Sequence, residues 1–172
     1  MIEVEVKAKL PIARAREVLE ELNAEFVESE EHYDIYYNAP HRDFAVTDEA
    51  LRLRLVNGRS VMTYKGEKLD ELTKSREELQ TTVEWDSTQA ILERLGFTKT
   101  ATVEKVRDVY KVGDITVCVD QVPNLGEFIE FELFSDKSIE ESRDRLFELM
   151  EKFGLGAEDS IRKSYLELVM GE

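Results

Sequence analysis

The stretch EVEVK, residues 3–7, sets acid, apolar, acid, apolar and base in strict alternation. Successive side chains of a strand point to opposite faces. Glu3, Glu5 and Lys7 therefore share one face, and Ile2, Val4 and Val6 the other. One such strand describes any sheet with a solvated side; recurrence is what decides the fold. In LRLRL (51–55), Arg52 and Arg54 oppose Leu51, Leu53 and Leu55. In the return strand Lys65 shares a face with Thr63 and Val61. REELQTTVEW (76–85) sets Arg76, Glu78 and Gln80 against Leu79, Val83 and Trp85. EKVRDVY (104–110) sets Lys105 and Arg107 against Val106 and Tyr110. In ITVCVDQV (115–122), Thr116, Cys118 and Asp120 oppose Ile115, Val117 and Val119, and in EFIEFEL (127–133) Glu130 and Glu132 oppose Ile129, Phe131 and Leu133.

Between these strands the punctuation is that of hairpins and short helices. Pro11 opens a helical pattern carrying Ile12, Ala15, Val18, Leu19 and Leu22. Asn57-Gly58 predicts a type I′ turn, and Gly113-Asp114 another reversal. FVESEEHYDIYYN (26–38) reads as a strand, 39–50 as an irregular loop and 67–75 as a polar connector. A helix with Ser87 as N-cap ends at Gly96, an amphipathic helix opens on the capping-box pair Ser138 and Glu141, and residues 159–169 form a last helical piece. About eight strands and three or four helices, mostly hairpin-linked, make an α+β fold: an antiparallel sheet with helices covering its apolar side. At 172 residues, with no linker or low-complexity segment, residues 1–172 read as a single domain.

Charge narrows the function. The chain is 35% charged with a formal net charge of −15, which disfavours nucleic acid and anionic membranes as partners. Cys118 is the one cysteine, no apolar run is long enough to span a membrane, and the N-terminus is too charged for a signal peptide, so a cytoplasmic protein is expected. On the shared polar face, however, Lys7, Lys9, Arg52, Arg54, Lys65, Arg76, Lys105 and Arg107 meet Glu3, Glu5, Glu78, Asp120, Glu130 and Glu132. Cations are concentrated there against the overall charge. That face is either one open, solvated sheet or the inside of a closed barrel. Small barrels usually fill with apolar side chains, and a charged interior is costly unless a charged ligand or water occupies it. Arginine and lysine in this number suit a polyphosphate. Carboxylates in the same space call for a hard divalent cation, Mg²⁺ or Mn²⁺, held by Glu3/Glu5 and Glu130/Glu132 from opposite walls. His32 and His41 read as surface or loop residues, Lys163 as a solvated helix residue, and no Walker A or dinucleotide fingerprint is present.

The opening Glu-x-Glu-x-Lys, followed in order by DIYY, LRLR, TYKG, SREE, EKVRDVY, VDQVPNLGEFIEFE and SYLEL, resembles the CYTH superfamily over nearly the whole chain. This is the triphosphate tunnel fold of class IV adenylyl cyclases and triphosphatases, and the segment from EKVRDVY to GEFIE looks most like the cyclase branch. The resemblance implies a closed eight-stranded antiparallel tunnel with helices outside. It implies metal binding by Glu3, Glu5 and Glu130, assisted by Asp120, Glu132 and Glu78. It implies a triphosphate grip by Lys7, Arg52, Arg54, Lys65, Arg76, Lys105 and Arg107. Lys105 with Tyr36 stands where a triphosphatase activates water, while Gln80 replaces a frequent acid. The implied partner is a small-molecule triphosphate such as ATP, with the protein a monomer or homodimer. Three functions stay open: a cyclase, a triphosphatase, and a non-catalytic polyphosphate-binding module.

Overall fold

The computed structural model describes residues 2–136 and 138–171. Eight strands close into one antiparallel barrel: β1 (Ile2–Lys9), β2 (Glu25–Asn38), β3 (Ala50–Val56), β4 (Arg59–Lys65), β5 (Arg76–Thr82), β6 (Thr98–Val112), β7 (Ile115–Val122) and β8 (Gly126–Ser135). Around the barrel the order is β1-β5-β4-β3-β2-β6-β7-β8, returning to β1. The charged faces thus turn inward, and the open-sheet alternative is excluded. Asn57 and Gly58, at φ 46° and 79°, make the β3–β4 turn with the paired positive φ of type I′.

The helices cover the outside. In α1 (Ile12–Glu21) and α4 (Ile139–Lys152), Val18, Leu19, Leu146, Met150 and neighbours pack on Val4, Val6, Val117, Ile129 and Phe131 of the barrel's outer wall. In α3 (Trp85–Arg94), Leu92 packs on Ile35, Tyr37 and Leu53. Five α-helices are present among the described residues, against the three or four expected. The addition is a single turn, α2 (Phe44–Thr47), inside the stretch read as an irregular loop, capped by Asp43. The last helix, α5 (Tyr165–Met170), begins later than expected, with Ser164 as its N-cap. Lys163 falls in an exposed bend before it. No helix among the described residues is long and apolar enough to cross a membrane.

Three further expectations are corrected. β5 stops at Thr82, and Trp85 opens α3 instead of ending the strand. The N-cap of that helix is Glu84, whose carboxylate accepts from both the backbone N–H and the hydroxyl of Ser87 at 2.6 Å, so the longer acid reaches back over the serine. And β1 and β8 are neighbours: Glu5 pairs with Glu132 and Lys7 with Glu130, so the two Glu-x-Glu motifs share one wall and do not face each other across the tunnel.

Candidate active site

A cavity of about 330 Å³ runs through the barrel. The same alternation that buries Val4 and Val6 under α4 points Glu3 and Glu5 into this space. Because β8 lies beside β1 in register, Glu132 joins them, and one oxygen from each of Glu3, Glu5 and Glu132 lies within 4.8 Å of the others. Three carboxylates so close, shielded from water, resist ionising together. Burial raises Glu3 well above the usual carboxylate range, opposed by Lys65 and reinforced by Glu5 and Glu132. Glu132 is pushed up to about 7, first by burial, then by Glu5 and Glu130 against the pull of Arg107. Glu5 is the exception: burial works to raise it, but Lys74, Lys65 and Lys7 outweigh that and hold it well down. A buried, oxygen-only cluster whose carboxylates repel one another when ionised fits a hard divalent cation, which would relieve that repulsion.

The neighbouring cations are already engaged with acids. Lys65 Nζ bridges Glu3 Oε1 at 3.1 Å and Glu78 Oε2 at 3.3 Å. Lys74 Nζ pairs with Glu5 Oε1 at 2.7 Å. Arg54 grips both oxygens of Asp34 at 2.7 and 2.8 Å. Arg107 grips Asp120 at 2.7 and 2.6 Å and also reaches Glu130 at 2.8 Å. Asp120 and Glu130 thus serve the arginine, and it is Glu132 that stands with Glu3 and Glu5. Arg52 is left with a buried Nε without a partner, while one of its terminal nitrogens donates to Thr63 at 3.4 Å, itself bonded to Gln80. Arg76 donates to the Gly66 carbonyl at 3.2 Å.

Lys105 pairs with Asp34 Oδ2 at 3.2 Å, and Tyr36 stands beside Arg52 in the β2–β3 register. Burial lowers the Lys105 ammonium to about 7, with Arg54 adding repulsion and Asp34 opposing. An amine at that value carries a usable lone pair near neutrality.

One end of the tunnel is closed. Tyr165, at the start of α5, donates its hydroxyl to Asp120 Oδ2 at 2.6 Å and lays its ring 4.0 Å from Lys7 Nζ and 5.2 Å from Lys105 Nζ. Lys7 is fully buried behind that ring, without a hydrogen-bond partner among the described residues, and stands off the cavity wall. Lys9, placed on the inner face by sequence, is exposed at the strand end.

The sequence reading placed β2 and named Tyr36 on it, but missed that strand's other inward residues and Lys74. Glu28, Glu30, His32 and Tyr36 line the cavity, and Asp34 is buried between Arg54 and Lys105. With these acids counted, the inner wall comes close to neutrality and loses the small positive excess that the sequence suggested. His32 is buried, correcting the surface assignment. Its Nε2 meets Glu30 Oε1 at 3.1 Å, and burial together with Arg54, Lys105 and Arg107 drives its pKa far down, so it stays neutral. The inward residues form a period-two series, E-x-E-x-H-x-D-x-Y over 28–36, but Ser29 and Glu31 make the opposite face polar too and mask it. Lys74 lies outside any strand, and no local pattern marks it.

The family model for the CYTH domain matches residues 1–165. A protein of Methanocaldococcus jannaschii named "Putative adenylate cyclase MJ0240" is 38% identical over 176 residues, 98% of each chain. The solved structure of the PH1819 protein of Pyrococcus horikoshii, also 38% identical, superposes with a TM-score of 0.90 over 98% of both chains. A Hippeastrum protein described as an adenylyl cyclase candidate with a dominant triphosphatase activity shares the fold at 16% identity, with a TM-score of 0.71 over 99% of this chain and 96% of its own.

Proposed function

The chain belongs to the CYTH domain family, and from that premise we propose that it is a divalent-metal-dependent enzyme acting on a triphosphate, converting ATP to cyclic AMP and pyrophosphate as a class IV adenylyl cyclase does. The observation that carries this reading is the contiguity, inside one cavity, of the Glu3–Glu5–Glu132 cluster with Arg52, Lys65 and Arg76. Glu3, Glu5 and Glu132 would hold Mg²⁺ or Mn²⁺, with Glu78 at hand through Lys65. When bound, the metal supplies Lewis acidity to phosphate oxygens and lowers the pKa of a nearby hydroxyl. Arg52 and Arg76 offer N–H groups to the phosphate chain, while Arg54 and Arg107, neutralised and held rigid by their acids, fix the wall around it. The 3′-hydroxyl attacks the α-phosphorus and gives up its proton to water, the bond to the bridging oxygen breaks, and pyrophosphate departs with that oxygen. The relative from M. jannaschii supports this choice by its name and identity.

A second reading, triphosphate hydrolysis, is favoured by one feature. Lys105, at about 7, can take a proton from water attacking the terminal phosphorus. Incubation with Mg²⁺ or Mn²⁺ and, separately, ATP, inorganic triphosphate and thiamine triphosphate decides between them. Cyclic AMP with pyrophosphate is expected. Orthophosphate release establishes the hydrolase instead, and tight binding without turnover establishes a binding module. In a Glu3→Gln/Glu5→Gln variant, metal-dependent turnover falls at least about 100-fold, on the scale of losing electrostatic stabilisation in the transition state, while the circular dichroism spectrum is retained.

A further inference from the structure

The two ends of the tunnel differ in chemistry. Apart from Lys74, Ser164 and Tyr165, all at the end that α5 closes, every described residue lining the cavity belongs to a strand. At the opposite end lie the β3–β4 turn, the β6–β7 turn and the last residues of β8. There the inward alternation changes character. Val56 follows Arg54, Val61 precedes Thr63, Val109 follows Arg107, and Phe134 follows Glu132. All four line the cavity, from four different strands. Phe134 is 47% exposed, so this end is open to solvent. Glu28, opposite Val109 in register, Gln80, and the exposed Arg59 beside the β3–β4 turn stand in the same rim.

A bare polyphosphate has no use for apolar side chains at an entrance, and Glu28 there offsets the attraction of Arg59. A flat aromatic head gains from both: apolar edges bury its faces, and Glu28 and Gln80 can accept from an exocyclic amine. We propose that the tunnel takes a nucleoside triphosphate phosphate-first, with its base held at the open mouth by the collar of Val56, Val61, Val109 and Phe134, and that this collar sets specificity for a nucleotide over inorganic triphosphate. The inference rests on the triphosphate reading above and adds the orientation and the organic group. The rival seat for a base is the pocket of Phe44, Tyr36 and Leu166 near the closed end. Its wall sets Asp43, Asp48, Glu49 and Glu167 against Lys68 and Arg76, so a phosphate chain leading from it toward the tunnel starts where acids outnumber bases.

The test is calorimetric binding of ATP and of inorganic triphosphate, each with Ca²⁺ in place of the activating metal, to the full chain and to Phe134→Ala, Val61→Asn and Phe44→Ala variants. ATP binding at least about tenfold tighter than inorganic triphosphate is expected, the scale of one well-buried apolar contact. In Phe134→Ala and in Val61→Asn that ratio falls toward one, and in Phe44→Ala it stays. Equal affinity of the unaltered chain for both ligands, or loss of the ratio in Phe44→Ala alone, overturns the collar while leaving the triphosphate reading in place. Binding of neither ligand overturns both. Phe134 is half exposed, so its truncation leaves the core intact; near-ultraviolet circular dichroism of each variant verifies this.

Discussion

Lys105 shows how much one position is altered by its surroundings. On an open sheet it would be a solvated ammonium. Inside the barrel it faces Asp34, Arg54 and Arg107, and burial brings it to about 7. An ordinary lysine keeps its proton up to 10.5. Between those values the unfolded chain binds more protons than the native one, so this side chain makes stability rise with pH across that window. We expect the ¹³Cε resonance of Lys105 to titrate near neutrality in the ligand-free protein, and the stability slope between pH 7 and 10 to flatten in Lys105→Met. A resonance that holds its charged shift to pH 9 would refute this. If the amine serves as proton acceptor, Lys105→Met also lowers turnover about 10²–10⁴-fold, the ordinary contribution of a positioned base.

At the scale of elements, caps and turns hold the barrel's covering in place. Gly96 follows α3 at φ 93°, and a Cβ there would sit 3.2 Å from the Pro40 side chain. Gly96→Ala therefore meets both a left-handed backbone and a crowded neighbour, and we expect it to cost about 1–2 kcal/mol in urea unfolding. Tyr165 is the hinge of a different kind of cover. Tyr165→Phe keeps the ring over Lys7 but removes the donor to Asp120, whose oxygens remain on Arg107. A loss of about 1 kcal/mol is expected from one buried hydrogen bond. Tyr165→Ala removes the ring as well and costs about 3 kcal/mol, as aromatic truncation in a core does. Most of this architecture could be read beforehand, because period-two alternation, Asn-Gly turns and glycine stops are local. What could not be read was adjacency. Glu5 and Glu132 are far apart in sequence, and only closure of β8 onto β1 makes them partners. In β2 the run E-S-E-E over 28–31 is polar on both faces, so nothing apolar marks which acids turn inward. Lys74 reaches Glu5 from a connector, where side-chain direction has no period. The adjacency of Glu132 to Glu3 and Glu5, the His32 environment and Lys74 were hidden for these three reasons.

For the whole molecule, the exterior carries the net charge of −15 while the tunnel wall is nearly balanced. What the balance leaves unresolved is local: burial and mutual repulsion raise Glu3 and Glu132 toward protonated forms that a cation would displace. Glu132 titrates at about 7 in the native chain against an ordinary 4.5, so the native state binds more protons between those values and this group makes metal-free stability fall as pH rises from 4.5 to 7. A divalent cation competes with those protons, and its stabilisation must grow in the same direction. At 100 times its dissociation constant a ligand adds about 2.7 kcal/mol, which for a domain of this size is a rise of about 5–10 °C in Tm. We therefore expect Mg²⁺ or Mn²⁺ to raise Tm by that amount at pH 8 and by clearly less at pH 6. Glu132→Gln should lose most of the shift and its pH dependence, because the amide neither titrates nor offers an anionic ligand. NaCl matched in ionic strength is the control that separates site binding from screening of the acidic surface, since screening acts on exposed charges within about 10 Å and reaches buried ones weakly. An equal rise from NaCl, or one independent of pH, would show that the three carboxylates hold no metal.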